Sequence, residues 1–271
     1  MKGPSSERPT RSRGTRSHGA AQAPRRPGAR RKGGKQGWIW GHHAVRAVLA
    51  NPRRTVHELV LTASASARLP EAAPHAPRIA EGRDLDALLP PGAAHQGCAV
   101  RAAPLEWPCL DALAEDSDLL LVLDGVTDPH NLGAMLRLAS AFGVGAVVLQ
   151  DRNSPPLTGA AAKVAAGCVE TVPVARVTNI SDTLEALKTQ GYFSTGLAGD
   201  TPLTLQQALS DGTKHALVMG AEGPGLRPRV AKTCDQLARI PMRSDGTPGT
   251  AESLNVATAA AVALYEARRN T

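Results

Sequence analysis

The residues best suited to chemistry lie toward the carboxyl end, between Leu217 and Glu266. Two short apolar runs, Leu217–Met219 and Leu237–Ile240, each stop at a break. The first stops at Gly220-Ala221-Glu222-Gly223-Pro224-Gly225 and the second at Pro241. Apolar strands that end in Gly/Pro loops are where open α/β sheets place their ligands, at the carboxyl edge. Glycine there lets backbone N–H and C=O groups approach a small molecule with no Cβ in the way. Glu222 is a carboxylate set among small residues, and it either answers N–H groups of its own turn or serves a site. Ser253 stands where a helix N-cap is wanted, and Leu254-Asn255 opens the first turn that follows.

A second group lies in Asp128-Pro129-His130-Asn131-Leu132-Gly133-Ala134-Met135-Leu136-Arg137. Helical spacing puts Leu132, Met135, Leu136 and Ala139 on one buried face. Asn131 at the helix start and Arg137 nearly two turns on lie off that face. Spacing alone leaves both readings open: a cap and a solvated arginine, or two ligands. The pair Gly143-Val144-Gly145 is no dinucleotide fingerprint, because Val148 fills the place of the third glycine and the pair precedes a strand. No HExxH pattern supports a metal site. The four cysteines (Cys98, Cys109, Cys168, Cys234) are scattered with no CxxC, which suits idle thiols in a reducing cytoplasm.

The elements that must position these groups begin after a tail. The net charge of +7 is unevenly placed: residues 1–37 hold eleven Lys/Arg and one acid, leaving the remainder at −3. This tail has no Leu, Ile, Val, Phe, Tyr or Trp, so disorder is expected, with RNA phosphates or bare solvation as its role. No apolar run reaches the roughly 18 residues of a membrane span. From Trp38 the chain reads as a small α/β module: a strand at Trp38, a helix bearing Val45, Val48 and Leu49, strands at Val56–Thr62 and Gly97–Arg101, and a helix at Asp84–Leu89. A Pro-containing linker, Ala103–Asp118, leads to a second domain over 119–271. There strands at Leu119–Asp124, Ala146–Gln150, Thr171–Val177, Tyr192–Ala198, Ala216–Met219 and Leu237–Pro241 alternate with helices. The helices are Leu132–Phe142, Leu157–Gly167, Asp182–Thr189, Leu203–Leu209 and Leu254–Ala267. Such alternation predicts a mainly parallel sheet with helices on both faces. Val256–Tyr265 is apolar on nearly every side, more than one sheet face can cover, so an intersubunit contact is expected there.

The segments LLLVLDGVTDPHNLGAMLRLASAFGVGAVVL, GAEGPGL, IPM and SLNVATAAAVALYE, in this order, resemble the signature motifs of the SPOUT-class, TrmH-type RNA ribose 2′-O-methyltransferases. The likeness covers about Trp38 to the carboxyl terminus. It implies transfer of a methyl group from S-adenosylmethionine to a ribose 2′-OH, without a metal. It also implies a deep trefoil knot, a homodimer and an amino-terminal RNA-binding domain of residues 38–103. That domain favours 23S rRNA, with guanosine as the acceptor, over tRNA, while the joint presence of Asn131, Arg137, Glu222, Ser253 and Asn255 weighs against a non-catalytic assembly role. By the same likeness Asn131, Arg137, Glu222, Ser253 and Asn255 are the catalytic set. Gly220, Ile240, Met242 and Leu254 cradle the cofactor through main-chain groups. In the family the motif-one arginine is assigned as base; a guanidinium pKa above about 12 makes phosphate binding and alkoxide stabilisation the better role for Arg137. The segment Arg243–Glu252 is longer than the family's usual short link.

Overall fold

The computed structural model describes residues 1, 3, 37–209, 214–243, 251 and 253–269. The expected disordered tail and almost all of the lengthened segment Arg243–Glu252 lie outside these residues. Everything below concerns the unit Lys35–Thr271.

The first sheet is built from β1 (Trp38–Trp40), β2 (Val56–Leu61), β3 (Arg78–Ile79) and β4 (Cys98–Ala102), in the order β1-β4-β2-β3. Strand β4 runs antiparallel to both its neighbours, and β3 adds parallel to β2. Alternation sorts the side chains, as a pleated strand must. Ile39, Leu59, Leu61 and Val100 pack with Val45 and Val48 of α1 (His42–Ala50). Trp38, Trp40, Val60 and Ala99 pack on the other side with Leu85 of α3 (Gly82–Leu88) and with Leu89. A short helix α2 (Ala63–Ser66), capped by Thr62, and a 3-10 turn at Pro70–His75 complete the module. The sequence reading missed these two and β3; each is too short to carry a period.

The interval read as a linker contains a helix, α4 (Leu110–Glu115). Its Leu110, Leu113 and Ala114 close one side of the second sheet. That sheet has six strands: β5 (Leu119–Leu123), β6 (Ala146–Gln150), β7 (Val174–Val177), β8 (Tyr192–Leu197), β9 (Lys214–Met219) and β10 (Gln236–Ala238). Their order is β10-β8-β9-β5-β6-β7, and every pairing is parallel. Odd and even residues of the central strands separate cleanly. Leu119, Leu121, Leu123, Leu217 and Met219 join one core with α5 (Pro129–Ala141), α6 (Gly159–Val164), α8 (Leu205–Ala208) and α10 (Val256–Arg268). Leu120, Val122, Ala216 and Val218 join another with α4, α7 (Ile180–Thr189) and α9 (Pro228–Thr233). Helices therefore cover both faces, which explains strands that read as unbroken apolar runs.

Several boundaries differ from expectation for local reasons. Strand β7 starts at Val174 rather than Thr171, because Cys168–Glu170 form a 3-10 turn, the N–H groups of Thr171 and Val172 are turned back to the Cys168 carbonyl, and Pro173 has no N–H to donate. Helix α6 is shorter than read, bounded by Gly159 at φ +60° and by Ala166 and Gly167 in the left-handed region. Helix α9 was not foreseen; it opens with Pro228 at its first position and buries only Val230.

The two sheets meet through α1, β1, α6 and the turn at Cys168–Glu170. At the seam Arg54 and Glu170 form an ion pair whose side chains are 3% and 5% exposed. Asn51 Nδ2 donates to the same carboxylate at 2.8 Å, and Arg53 donates to the Glu170 carbonyl.

Candidate active site

The carboxyl ends of the parallel strands converge on one cavity of about 410 Å³, within the usual range for small-molecule sites. Strand β8 contributes Leu197 and the following Ala198-Gly199, β9 contributes Met219 and Gly220, and the chain beyond β10 contributes Ile240 and Met242. The start of α10 closes the far side with Ser253, Leu254 and Asn255. All four residues expected to cradle a cofactor, Gly220, Ile240, Met242 and Leu254, thus line a single space.

The loop after β9 is held folded from both ends. Ala221 and Gly225 exchange backbone hydrogen bonds of 3.0 Å each, with Gly223 and Gly225 at positive φ. Its outer end is fastened by Asp124, a fully buried carboxylate directly after β5. Asp124 Oδ2 accepts from the Arg227 backbone N–H at 2.8 Å, and Oδ1 accepts from Arg227 Nε at 2.6 Å. The backbone N–H of Asp124 donates to the Met219 carbonyl, so one residue ties the strand before the loop to the residue after it. Sequence reasoning passed over Asp124 and Arg227. The available signal was an acid at the end of the run LLLVLD, at the sheet edge where a charge needs a stated partner.

Three of the expected site residues are joined by hydrogen bonds. Asn255 caps α10: its Oδ1 accepts from the backbone N–H groups of Ala257 (2.9 Å) and Thr258 (3.4 Å). Its Nδ2 is left to donate to Asn131 Oδ1 at 3.1 Å. Asn131 Nδ2 then donates to Glu222 Oε2, also at 3.1 Å. Both amides are oriented by these partners, and the chain of donors ends on a carboxylate. Ser253, expected as the cap, lies exposed at the rim instead, since the helix begins three residues later and Asn255 takes that role. Of the two readings left open for Asn131, the cap is not the one seen. Asp128 caps α5, accepting from the N–H groups of His130 and Asn131, and this frees the Asn131 side chain, which is 8% exposed and turned to the site. Arg137 stands apart. It is exposed on α5 and makes no hydrogen bond or ion pair among the described residues.

Cysteine chemistry is not part of the site. Burial pushes the Cys98 thiol up to about 11 and the Cys234 thiol up to about 12, so neither is a thiolate near neutral pH.

A doubly wound parallel sheet with a glycine-roofed cavity at its carboxyl edge, rimmed by amides and a carboxylate, is the architecture of an α/β enzyme with room for a small cofactor. Residues 118–265 match the SpoU rRNA Methylase family, and the chain belongs to that family. It is similar to the 23S rRNA (guanosine-2′-O-)-methyltransferase RlmB of Vibrio cholerae, 43% identical over 243 residues that cover 85% of this chain and 96% of that one. The protein of the same name from Salmonella typhi is 41% identical with like coverage, 85% and 97%. Among solved structures, a putative RNA methyltransferase of the TrmH family from Porphyromonas gingivalis superposes with a TM-score of 0.69 at 28% identity, covering 86% of this chain and 90% of that one. The SpoU methyltransferase AviRb from Streptomyces viridochromogenes, solved with AdoMet, shares the fold with a TM-score of 0.70 at 22% identity, covering 86% and 89%.

Gly220 offers a direct test of the loop. A methyl group there would stand 2.2 Å from the Gly225 carbonyl carbon and 2.4 Å from the Leu226 nitrogen. Both contacts are backbone, so Gly220→Ala must lift the loop off the strand. Its affinity for S-adenosylmethionine by calorimetry is expected to fall by about tenfold or more, in line with overpacking costs of roughly 1–3 kcal/mol. Unchanged affinity in a folded variant would separate the loop from the cofactor site.

Proposed function

We propose that this protein transfers a methyl group from S-adenosylmethionine to the ribose 2′-OH of a guanosine in 23S rRNA. The observation that carries the reading is the hydrogen-bonded row Asn255, Asn131 and Glu222 at the mouth of the carboxyl-edge cavity, in a chain of the SpoU family. The cavity suits the donor: it is largely apolar, bordered by Gly220, Ile240, Met242 and Leu254, and Glu222 is its one acidic wall residue among the described residues. When bound, the cofactor supplies an electrophilic methyl group on a sulfonium. The work of the chain is then to hold the acceptor oxygen in line with it, near 3 Å.

Glu222 and the Ser253 hydroxyl present acceptors and a rotatable donor at the rim, a match for ribose hydroxyls. Asn131 and Asn255 keep the Glu222 carboxylate aimed, and that carboxylate takes the 2′-OH proton as the oxygen bonds to the methyl carbon. Arg137, with no carboxylate partner among the described residues, binds the adjoining phosphate and stabilises the negative charge that develops.

The remaining parts fit this reading. The module of residues 38–103 contacts the RNA, 104–118 joins it to the catalytic domain 119–271, and that domain carries the family's trefoil knot. Segment 1–37 adds phosphate contacts. The outer face of α10, where Val262 and Tyr265 are exposed while Ala260, Ala263 and Leu264 are buried, forms a homodimer interface. Among the described residues no group of side chains could hold a metal and no helix is long and apolar enough to cross a membrane. An enzyme acting on 23S rRNA would work in the cytoplasm, where that RNA is. Mapping ribose methylation across total RNA from cells with and without this gene tests the assignment. One 23S rRNA guanosine should lose its methyl group; loss on tRNA instead would move the substrate to the family's other branch.

A further inference from the structure

The seam between the two sheets contains a second cavity, of about 680 Å³, that the reaction above does not use. Its walls include Trp107, Arg54 and Arg176 among apolar residues such as Leu105 and Val174, with no Asp or Glu among the described residues. The Arg53 guanidinium lies over the Trp107 ring, 4.2 Å from its centroid. The carboxylate at this seam, Glu170, is already taken by Arg54 and Asn51, so Arg53 keeps its charge unpaired among the described residues. Arg176 is exposed and donates one N–H to the Pro155 carbonyl. The Trp107 indole N–H is buried with no acceptor among the described residues. A buried donor without a partner costs free energy, so an acceptor from outside the fold is wanted there.

We infer that this cavity seats a nucleobase of single-stranded RNA flanking the methylated nucleotide, stacked at Trp107 with its phosphates on Arg53 and Arg176. The inference rests on the RNA-modifying reading above. An indole ring already stacked by Arg53 on one face, an unmet N–H and two guanidinium groups with no carboxylate partner among the described residues are together the complement of a nucleotide: π-system, base-edge acceptor and phosphate. An acidic peptide would satisfy the cations but leave the ring and its N–H unmet. Position supports RNA as well. Gly37, Pro156 and Thr158 are shared with a further cavity of about 1010 Å³, whose walls include Pro129 and His130, next to Asn131. A strand bound at the catalytic rim can therefore run along the seam to Trp107. Gly37, where the basic segment 1–37 joins, lies on the same path.

The test combines steady-state methyl transfer on naked 23S rRNA transcript with quenching of tryptophan emission by that RNA, in the full-length protein. Trp107→Ala should raise the KM for RNA about tenfold to a hundredfold, the range of one lost base stack, with kcat and cofactor affinity unchanged. Trp107→Phe, which keeps a ring but not the N–H, should lose less and should remove the Trp107 share of the RNA-dependent quenching, leaving only what Trp38 and Trp40 contribute. Arg176→Ala should weaken binding at low salt and flatten its salt dependence by about one phosphate contact. RNA affinity and KM within twofold of wild type in both Trp107→Phe and Arg176→Ala would overturn the inference. So would a defect confined to assembled ribosomal particles, which would give the cavity to a protein partner. Trp107 emission that changes on deleting residues 1–36 without RNA would give it to the tail. Quenching is read without methyl transfer, so an inactive enzyme that still shows Trp107-dependent quenching would refute the reaction and keep the seat.

Discussion

Arg137→Ala is expected to lower turnover by roughly two to four orders of magnitude while leaving S-adenosylmethionine binding intact, the loss typical of one charge-stabilising donor. The structure gives this arginine the properties such a role requires. It projects from α5 six residues after Asn131, about 9 Å along the axis, and no carboxylate among the described residues neutralises it. An arginine serving stability would be paired or packed, as Arg54 and Arg268 are. Arg137→Lys should recover part of the loss, since a point charge survives although the planar fork does not. Raising the pH should help the alanine variant more than the wild type, because proton removal becomes harder when the alkoxide is less stabilised. Single-turnover methyl transfer on an rRNA fragment, with folding followed by circular dichroism, decides the matter. Near-normal turnover in a folded Arg137→Ala protein would remove this residue from the mechanism.

What could be read in advance follows from which interactions are local. Strands buried on both faces announce themselves as apolar runs, and LLLVL, AVVLQ and ALVM are such runs whatever they pack against. Helix α4 was hidden because its one buried residue, Ala114, and the half-buried Leu110 and Leu113 sit in a Pro-containing stretch too short for a period. The Ser253 cap failed for a related reason: Ser and Asn both cap well, and only the tertiary pull of Asn131 on Asn255 decides which one does. Site assembly was the least legible step. Asn131, Glu222 and Asn255 are separated by 91 and 124 positions along the pairs that bond, so no spacing rule could join them. Likeness to a family supplied that set, whereas Asp124 and Arg227, which hold the roof of the cavity, needed the structure.

The buried pair at the seam should be the most expensive single link to break. Glu170→Ala leaves the Arg54 guanidinium, 3% exposed, with the Ala103 carbonyl as its remaining partner and no countercharge. It also strips Asn51 Nδ2 of its acceptor. Removing one member of a buried ion pair costs about 3–5 kcal/mol, chiefly because the other charge stays desolvated. In a chain of this size that is a fall of roughly 10 °C in melting temperature. The pair itself need not be net stabilising: replacing both partners by leucine should be much milder than either single change, because no charge is left buried. The location of the damage is also specified. Arg54 belongs to the four-stranded module and Glu170 to the turn before β7, so the single variant should loosen the seam first. Limited proteolysis should then cut within residues 103–118 sooner than in the wild type. S-adenosylmethionine affinity, set at the carboxyl edge of the other sheet, should hold at temperatures where the variant remains folded, while RNA affinity drops with the Trp107 cavity that Arg54 helps to wall. Equal losses of cofactor and RNA binding would mean that the two sheets unfold as one body and that the seam carries no separate role.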